Sequence, residues 1–429
     1  MNPDLRRRYV VNTALFWLPI GLGVAPAVLL FAERGLGTAA VAVVVAVHSF
    51  TAAGLELPTG GLSDVLGRRW VLAAAGVLMC AAFLLVGLGG TAVLLGVGMG
   101  LKGAARALSS GPAEAWYVDA VRAKEGEGAE LRSGLARGAT ASSVALAVGT
   151  VAGGVLPWAF GRGGYGEQLG EATGGAVLPL SLPMLLGAVL ALGFSCHSLL
   201  ALREPPRPRA TLGGVLRGVP VTVVDGVRLA ARDGVVRRVV LTSAAAGSAF
   251  AVIELLTPGR VAALTGGAES GAVGYGGLAT AGFLCSACGS LLAPLLRGGR
   301  RAVLLGTAAA TLALLLLGAG AAAVAVAGYA VFYVTLGVVN PNLNELLHHR
   351  VPDDRRATAL SVQSLALQLT AATTGLIIGP LAGDGLLPWL FPLGAFLATA
   401  LLWTRPLREV TAQQPVSADG QDRRVTDLS

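Results

Sequence analysis

Long apolar stretches run through this chain and are separated by short polar segments. Residues 9–32, 35–55 and 302–344 contain no charged side chain. A helix needs about 20 apolar residues to cross about 30 Å of hydrocarbon. The stretch 302–344 is too long for one crossing, so we expect it to turn at Gly318-Ala-Gly320. Because the apolar runs are continuous rather than alternating, they favour membrane-spanning helices over a β-barrel.

The pattern as a whole predicts an all-α membrane protein with twelve transmembrane helices. The predicted helices cover 9–32, 35–60, 71–89, 91–118, 138–160, 176–202, 239–258, 270–296, 302–317, 321–346, 357–383 and 385–404. Composition agrees with this prediction, because only 13% of the residues are charged. About a quarter of the residues are charged in an ordinary soluble domain.

The positions of lysine and arginine predict the topology. With a cytoplasmic N-terminus, Arg34, Arg162 and Arg260 lie in outside loops, and Lys102 and Arg106 lie within a span. All the others of the 32 lysines and arginines then fall in cytoplasmic segments. This is the positive-inside bias of membrane proteins. It accounts for the net charge of +8 and argues against nucleic-acid binding, for which no basic stripe interleaved with aromatic residues is present.

The spans divide into two sets of six. We expect an N-terminal bundle over 1–202, a cytoplasmic linker over 203–238, a C-terminal bundle over 239–404 and a disordered cytoplasmic tail over 405–429. The halves also share motifs, since the short Gly-Arg-Arg turn after the second span recurs after the eighth. Two six-helix pseudo-repeats in the same orientation are a transporter architecture, with the substrate site at their interface.

The segment Gly61-Leu-Ser-Asp-Val-Leu-Gly-Arg-Arg69 closely resembles the signature loop of the major facilitator superfamily (MFS), G-x-L-[SA]-D-x-x-G-R-R. It lies where that family has the loop, between helices two and three. Together with the twelve spans, the resemblance covers essentially the whole chain. It implies the MFS fold and transport by alternating access of the two bundles.

The resemblance also implies a cytoplasmic gate, formed by Gly61, Asp64, Gly67, Arg68 and Arg69. In the family the matching aspartate docks on the start of helix eleven, which here lies near residues 357–361. A helix N-terminus favours an anion through its free N–H groups and its dipole. The alternative is a charged turn that only follows the positive-inside rule.

Two further segments are similar to bacterial drug-efflux-like members of the superfamily. They are Glu56-Leu-Pro-Thr-Gly60 at the end of helix two and the stretch from Arg106 to Asp119 on helix four. The antiporter motif G-x-x-x-G-P-x-x-G-G of helix five is incomplete here, because no proline follows its second glycine. Small residues at this spacing let helices pack closely. We expect that role for four glycines: Gly149, Gly153, Gly375 and Gly379.

Ionisable residues within the spans are candidates for function, because they are costly in lipid and face a cavity or a partner. Lys102, Arg106 and Glu114 recur at multiples of four on predicted helix four, so we expect them to share one helical sector. Lys102 and Arg106 are like charges one turn apart. An acid from elsewhere or an anionic group of the substrate would relieve their repulsion.

Four acids complete the set of coupling or cavity candidates. Glu56 and Glu114 are the preferred proton carriers, with structural ion pairing to Arg106 as the alternative. Asp119 lies at the cytoplasmic end of helix four and is expected to join the gate. Glu254 lies near the predicted outer end of helix seven, as an outside gate or a solvated rim residue.

Other polar and aromatic residues give weaker signals. His48 is a lone histidine on helix two, for which a core position is expected. Trp17, Trp116 and Tyr117 either line a pocket for a lipophilic substrate or simply pack. The four cysteines lie in apolar runs without the second ligand pair of a metal site.

These patterns predict a secondary transporter, with proton-coupled export of a small, drug-like or metabolite molecule as the leading hypothesis. The alternatives are an importer or facilitator on the same fold and a non-transporting membrane sensor or scaffold. No catalytic motif indicates an enzyme. The expected partners are a small-molecule substrate, protons and the lipid bilayer, without a cofactor, a metal or nucleic acid. We expect a monomer in the bacterial cytoplasmic membrane with both termini inside.

Overall fold

The computed structural model describes residues 3–126, 128–162, 164–204, 213, 224–296, 298–351, 353–383 and 385–406, without the side chains of Leu57, Gly60, Gly61, Asp64 and residues 353–357. Every regular element in these ranges is helical. The linker residues 205–212 and 214–223 and the tail from 407 lie outside the described residues. The predictions for those segments therefore stay predictions.

The N-terminal half contains the first six spans and one short helix. Its helices are α1 (Pro3–Val24), α2 (Ala27–Glu33), α3 (Thr38–Leu66), α4 (Arg68–Leu88), α5 (Ala92–Ser109), α6 (Pro112–Glu125), α7 (Arg132–Gly161), α8 (Tyr165–Ala172) and α9 (Leu182–Ala201). A core of large apolar side chains holds them together, among them Phe16, Phe83 and Phe194.

The C-terminal half repeats this plan with six long helices. They are α10 (Gly234–Thr265), α11 (Ala268–Leu292), α12 (Arg300–Leu317), α13 (Ala322–Arg350), α14 (Asp353–Ile378) and α15 (Leu387–Thr404). Phe332, Phe396 and Trp389 are central to a second apolar core. Many leucines and valines outside these cores are exposed, as expected for a surface solvated by lipid.

The number of spans agrees with the sequence. Eleven helical segments among the described residues are long and apolar enough to cross a membrane, and α1 with α2, bent by 42°, makes the twelfth. The predicted all-α membrane fold of two six-helix bundles is therefore confirmed. The C-terminal half begins its first span at Gly234, before the expected boundary at 239.

The fourth span departs from the prediction, which placed one continuous helix over 91–118. That prediction was wrong, because α5 ends at Ser109 and α6 begins at Pro112. Gly111 between them has φ 97°, a conformation that only glycine adopts readily. Pro112 then starts α6, where its missing N–H costs no hydrogen bond.

The loops that follow the second and eighth spans share a backbone feature. Gly67 joins α3 to α4 with φ 109°, and Gly299 precedes α12 with φ 71°. The sequence repeat therefore corresponds to a structural repeat. We call the face of the bundle that carries Pro3, Gly67 and Thr404 the terminal face, and the other one the opposite face.

The two halves meet along two helix pairs, α3 with α14 and α7 with α11. Small residues make these contacts close near the opposite face. A Cβ added to Gly154 would lie 2.5 Å from the carbonyl oxygen of Ala272, and one added to Gly379 would lie 2.6 Å from Ala42 Cβ. Larger side chains at these positions would push the halves apart.

The four predicted packing glycines do not share one environment. Gly149 and Gly153 of α7 lie against the α1 backbone, where an added Cβ would meet the carbonyl oxygens of Leu18 and Leu22. Gly375 has no atom within 4 Å of an added Cβ, so its predicted packing role is wrong. It lines the cavity described below.

Candidate functional site

A cavity of about 540 Å³ lies between the two halves. Helices α1 to α5 line it from the N-terminal half, and α10, α11 and α14 line it from the C-terminal half. Its walls are mostly apolar, with a small number of ionisable side chains. Those ionisable side chains are His48, Glu56, Lys102, Arg106, Glu254 and Tyr275.

Helix α5 places both basic residues in this cavity. Its glycine face packs closely on α3, since a Cβ at Gly103 would collide with the carbonyl oxygen of His48. Lys102 and Arg106 lie on another face, one helical turn apart, and line the cavity. Neither cation has an acidic oxygen within 4 Å among the described residues.

Aromatic rings give these cations partial support. The Arg106 guanidinium lies 5.3 Å from the ring centroid of Trp17, and the Lys102 ammonium lies 5.9 Å from that of Phe83. Cation–π contacts at such distances contribute about 0.5–2 kcal/mol. They lower the cost of holding the cations within the membrane without supplying a negative charge.

Glu56 on α3 bonds across the boundary between the halves. Its Oε2 accepts a hydrogen bond from Ser364 Oγ at 2.9 Å and another from Gln368 Nε2 at 2.7 Å. Both donors belong to α14. Hydrogen bonds to a charged acceptor are stronger than neutral ones, so this bridge ties the two halves together beside the cavity.

Glu254 lies inside the cavity and not at its outer rim, so the predicted position near the end of helix seven was wrong. The reason is that α10 continues to Thr265 instead of ending at 258. At 1.5 Å per residue, Glu254 lies about 17 Å from the end of α10 at Thr265, and Lys102 lies about 15 Å from the start of α5 at Ala92. Both of these helix ends lie at the opposite face. The two charges are at similar depth and interact electrostatically.

Glu114 lines a second cavity of about 460 Å³ together with Arg106, Tyr9 and Asn12, whereas Lys102 lines the central cavity. Glu114 therefore lies apart from Lys102 but not from Arg106, which corrects the predicted shared sector in part. It forms no ion pair with Lys102 or Arg106 within 4 Å. Among the candidate acids, Glu56 and Glu254 are the ones that reach the central cavity.

The predicted gate residues lie at the terminal face. Arg68 pairs with Asp119 at 2.5 Å, and the Arg69 backbone N–H donates to Glu204 Oε1 at 2.9 Å. Gly67 supplies the positive φ of the turn. The side chains of Asp64 and Gly61 lie outside the described residues, as do those of residues 353–357 at the start of α14.

Three smaller observations complete the site. Trp17 lines the cavity, whereas Trp116 and Tyr117 are fully buried packing residues. His48 also lines it, and its Nδ1 is enclosed by protein without a hydrogen-bond partner. The described residues include no cluster of three or more His, Cys, Asp or Glu residues suited to a metal ion.

The central cavity continues toward the terminal face along each half. The second cavity shares Trp17, Arg106 and Ser110 with it. A third cavity, of about 320 Å³ within the C-terminal half, shares Phe250 and Ser364. Both side cavities reach helix segments near the terminal face, so the space available to a ligand extends in that direction.

Comparison with known proteins gives a consistent result. A family model described as Major Facilitator Superfamily matches residues 9–375. No curated protein matches the sequence. The nucleoside transporter NupG is similar in structure, with a TM-score of 0.70 at 12% identity over 94% of this chain and 98% of that one.

Two further solved structures show the same fold. A bacterial homologue of the human lysosomal transporter Spinster, inward-facing and occupied, has a TM-score of 0.71 at 14% identity, covering 94% of this chain and 97% of its own. The inward-open xylose transporter XylE from E. coli has a TM-score of 0.67 at 15% identity, covering 95% and 97%. At these identities the likeness concerns the fold alone.

Proposed function

This chain belongs to the major facilitator superfamily, and from that premise we propose that it is a proton-coupled transporter that exports a small molecule. Family and fold already make it a transmembrane transporter of a small-molecule substrate and not an enzyme. Proton coupling and the direction of transport are the additional steps of the proposal.

The observation that carries the proposal is the central cavity between the halves, with its charged side chains. Transporters of this architecture move substrate by rocking two bundles around a site near the membrane midplane. Lys102 and Glu254 face this cavity from different halves at similar depth. Ionisable residues at that depth are rare and mark substrate, ion or proton pathways.

We assign proton coupling to the two cavity acids. Glu254 interacts electrostatically with Lys102 across the cavity, so a proton on Glu254 would change the charge that Lys102 presents to a substrate. Glu56 holds Ser364 and Gln368 of the other half. A proton on Glu56 would remove the charge from this bridge and loosen the halves beside the cavity.

Export is the direction that the drug-efflux-like segments favour, and the path of the cavities supports loading from the terminal face. The distribution of arginines supports a cytoplasmic position of that face in a bacterial cell. In this proposal both termini are cytoplasmic, the chain acts as a monomer, and residues 203–238 link two bundles that move as units. The Gly61–Arg69 loop gates the cytoplasmic side.

One observation favours a second candidate, uptake by proton symport. Protonation of Glu254 would free Lys102 to hold an anion, so that proton and anion would bind together and move in the same direction. Antiport instead requires that proton and substrate exclude each other. The two candidates therefore differ in the sign of the proton movement that accompanies substrate.

Inside-out vesicles, which expose the cytoplasmic face, separate the two candidates. Respiration acidifies the vesicle interior, and a dye that is quenched by the pH gradient reports proton movement while a panel of solutes is added outside. Export by antiport predicts that a substrate relieves the quenching. Symport predicts deeper quenching, and no response to any solute beyond vesicles without the protein contradicts proton coupling.

The gate can be tested separately with Asp64→Asn, which removes the charge expected to dock on the start of α14. We expect slower transport with unchanged substrate affinity, because the variant affects closure and not the cavity. Transport rates in proteoliposomes are the measurement, with Glu167→Gln on the exposed short helix α8 as the matched control. An unchanged transport rate in Asp64→Asn would contradict the proposed gate.

A further inference from the structure

We propose that the central cavity binds an organic anion, a small molecule with one carboxylate-like group and an apolar body. The anionic group would lie between Lys102 and Arg106 of α5, beside His48 of α3. This inference rests on the proposed function, because it names the substrate class of the same transport site. With Glu254 as the competing acid, it favours the uptake candidate, in which proton and anion bind together.

The first argument is that the two cations on α5 have no direct acidic partner. Lys102 and Arg106 are one turn apart and lack an acid within 4 Å among the described residues. The two cavity acids act on them only at longer range, Glu254 on Lys102 and Glu56 on Arg106. Like charges at this spacing destabilise a helix, and a bound anion would offset both of them.

The break in the fourth span adds a polar group beside Arg106. Ser110, which precedes the break, lines the central cavity together with Arg106. The start of α6 itself lines the second cavity, and Glu114 in its first turn offsets the positive end of the helix dipole there.

His48 adds a polar side chain to the wall that carries the two cations. Its Nδ1 is enclosed by protein without a hydrogen-bond partner, so this nitrogen is closed to a ligand in the cavity.

The remaining walls define the rest of the ligand. Apolar and aromatic side chains make up most of them, including Trp17, Met79, Met99, Phe250, Leu255 and Leu367. The volume of about 540 Å³ falls in the range of about 300–1,000 Å³ typical of small-molecule sites. An anion with an apolar body matches both parts of this cavity, whereas a polyol or a purely ionic solute matches only one.

Removing the charge of Glu254 distinguishes an anionic ligand from a cationic one. Glu254 lies in the C-terminal half and interacts with Lys102, so it competes with an anionic ligand for the same cation. Removing its charge should tighten the binding of an anion. If the ligand were a cation, Glu254 would be its counter-charge, and the same substitution would weaken binding.

The experiment compares matched ligands on the full chain in lipid nanodiscs, with affinities from titration calorimetry. The first set is naphthylacetate, naphthylacetamide and naphthylethylamine, and the second is indolylacetate, indolylacetamide and tryptamine. In each set the carboxylate should bind about tenfold or more tightly than the amide, because it gains charged hydrogen bonds. The amine should bind most weakly.

Variants locate the effect. Arg106→Gln and Lys102→Gln should each weaken carboxylate binding about tenfold or more and leave amide binding unchanged. Arg106→Lys should retain part of the preference, Glu254→Gln should strengthen carboxylate binding, and Lys124→Gln at the exposed end of α6 is the matched charge control. Melting temperatures show whether each variant is folded.

Two results would overturn the proposal. One is a carboxylate that binds no more tightly than its amide or amine on both skeletons, and the other is a loss of carboxylate binding in Glu254→Gln. Both results can be obtained even if Lys102→Gln does not fold. Carboxylate-selective binding without proton movement would contradict proton coupling and support the organic-anion ligand. Proton-coupled transport of amines would support proton coupling and contradict the organic-anion ligand.

Discussion

The two halves share a helix plan but differ in the chemistry they bring to the cavity. In the N-terminal half the fourth span is broken into α5 and α6 and carries Lys102 and Arg106. Its counterpart α13 is one unbroken helix of 29 residues, with Asn340 and Asn344 on the third cavity. The repeat has kept the packing and given the cations to one half only.

The first span of each half shows the same asymmetry. In the N-terminal half it bends by 42° between α1 and α2, whereas α10 runs unbroken over 32 residues and carries Glu254. The cations Lys102 and Arg106 therefore lie in one bundle and the acid Glu254 in the other, and the two bundles are expected to move relative to each other. The difference teaches that coupling in this molecule depends on its departures from two-fold repetition.

The largest expected effect comes from Glu254→Gln, which removes the acid that the C-terminal half contributes. We expect proton-driven transport to be abolished while exchange of substrate across the membrane continues, because exchange needs no change of protonation. Driven and exchange fluxes in proteoliposomes are the measurement, with Glu167→Gln as control. Unchanged driven flux would contradict the coupling role.

The next effect compares the two copies of the glycine motif. Gly149→Ala should lower the free energy of unfolding by about 1–3 kcal/mol, because the new methyl group meets the α1 backbone. Gly375→Ala should cost nothing and should gain up to about 1 kcal/mol, since it replaces glycine in open space within a helix. Melting temperatures of the two variants check this, and equal losses would contradict the assigned environments.

The smallest effect concerns the bridge between the halves. Ser364→Ala removes one of the two hydrogen bonds to Glu56, while Gln368 still donates the other. We expect a loss of about 0.5–1.5 kcal/mol in the free energy of unfolding. Thr373→Ala, which loses a hydrogen bond within α14 only, is the matched control. Equal losses of unfolding free energy in the two variants would contradict a stabilising bridge between the halves.

The sequence was sufficient for the spans, because lipid imposes a length and a polarity on each of them. It was also sufficient for the positions of Glu56, Lys102 and Arg106 within the membrane, since charges in apolar runs stand out. It failed at Gly111, where glycine adopts φ 97° and breaks the fourth span. A glycine within an apolar run does not reveal whether it packs or turns.

The remaining errors have the same cause, which is that facing depends on tertiary packing. Glu254 was placed at a rim because the end of α10 could not be read from its polar residues near Arg260. Gly375 faces a cavity, although its spacing matches that of Gly149. Ser364 and Gln368 were not selected, and two polar residues in an apolar span were the signal that could have found them.

The central claim is that the halves rock around the cavity and that protonation shifts their balance. Spin labels on Gly90→Cys and Gly320→Cys report the opposite face, and labels on Lys124→Cys and His349→Cys report the terminal face, in a background without the four native cysteines. Electron–electron resonance gives both distances at acidic and alkaline pH. We predict that the two distances change in opposite senses and that Glu254→Gln reduces the change. Distances that stay fixed, or that change in the same sense, would contradict the account.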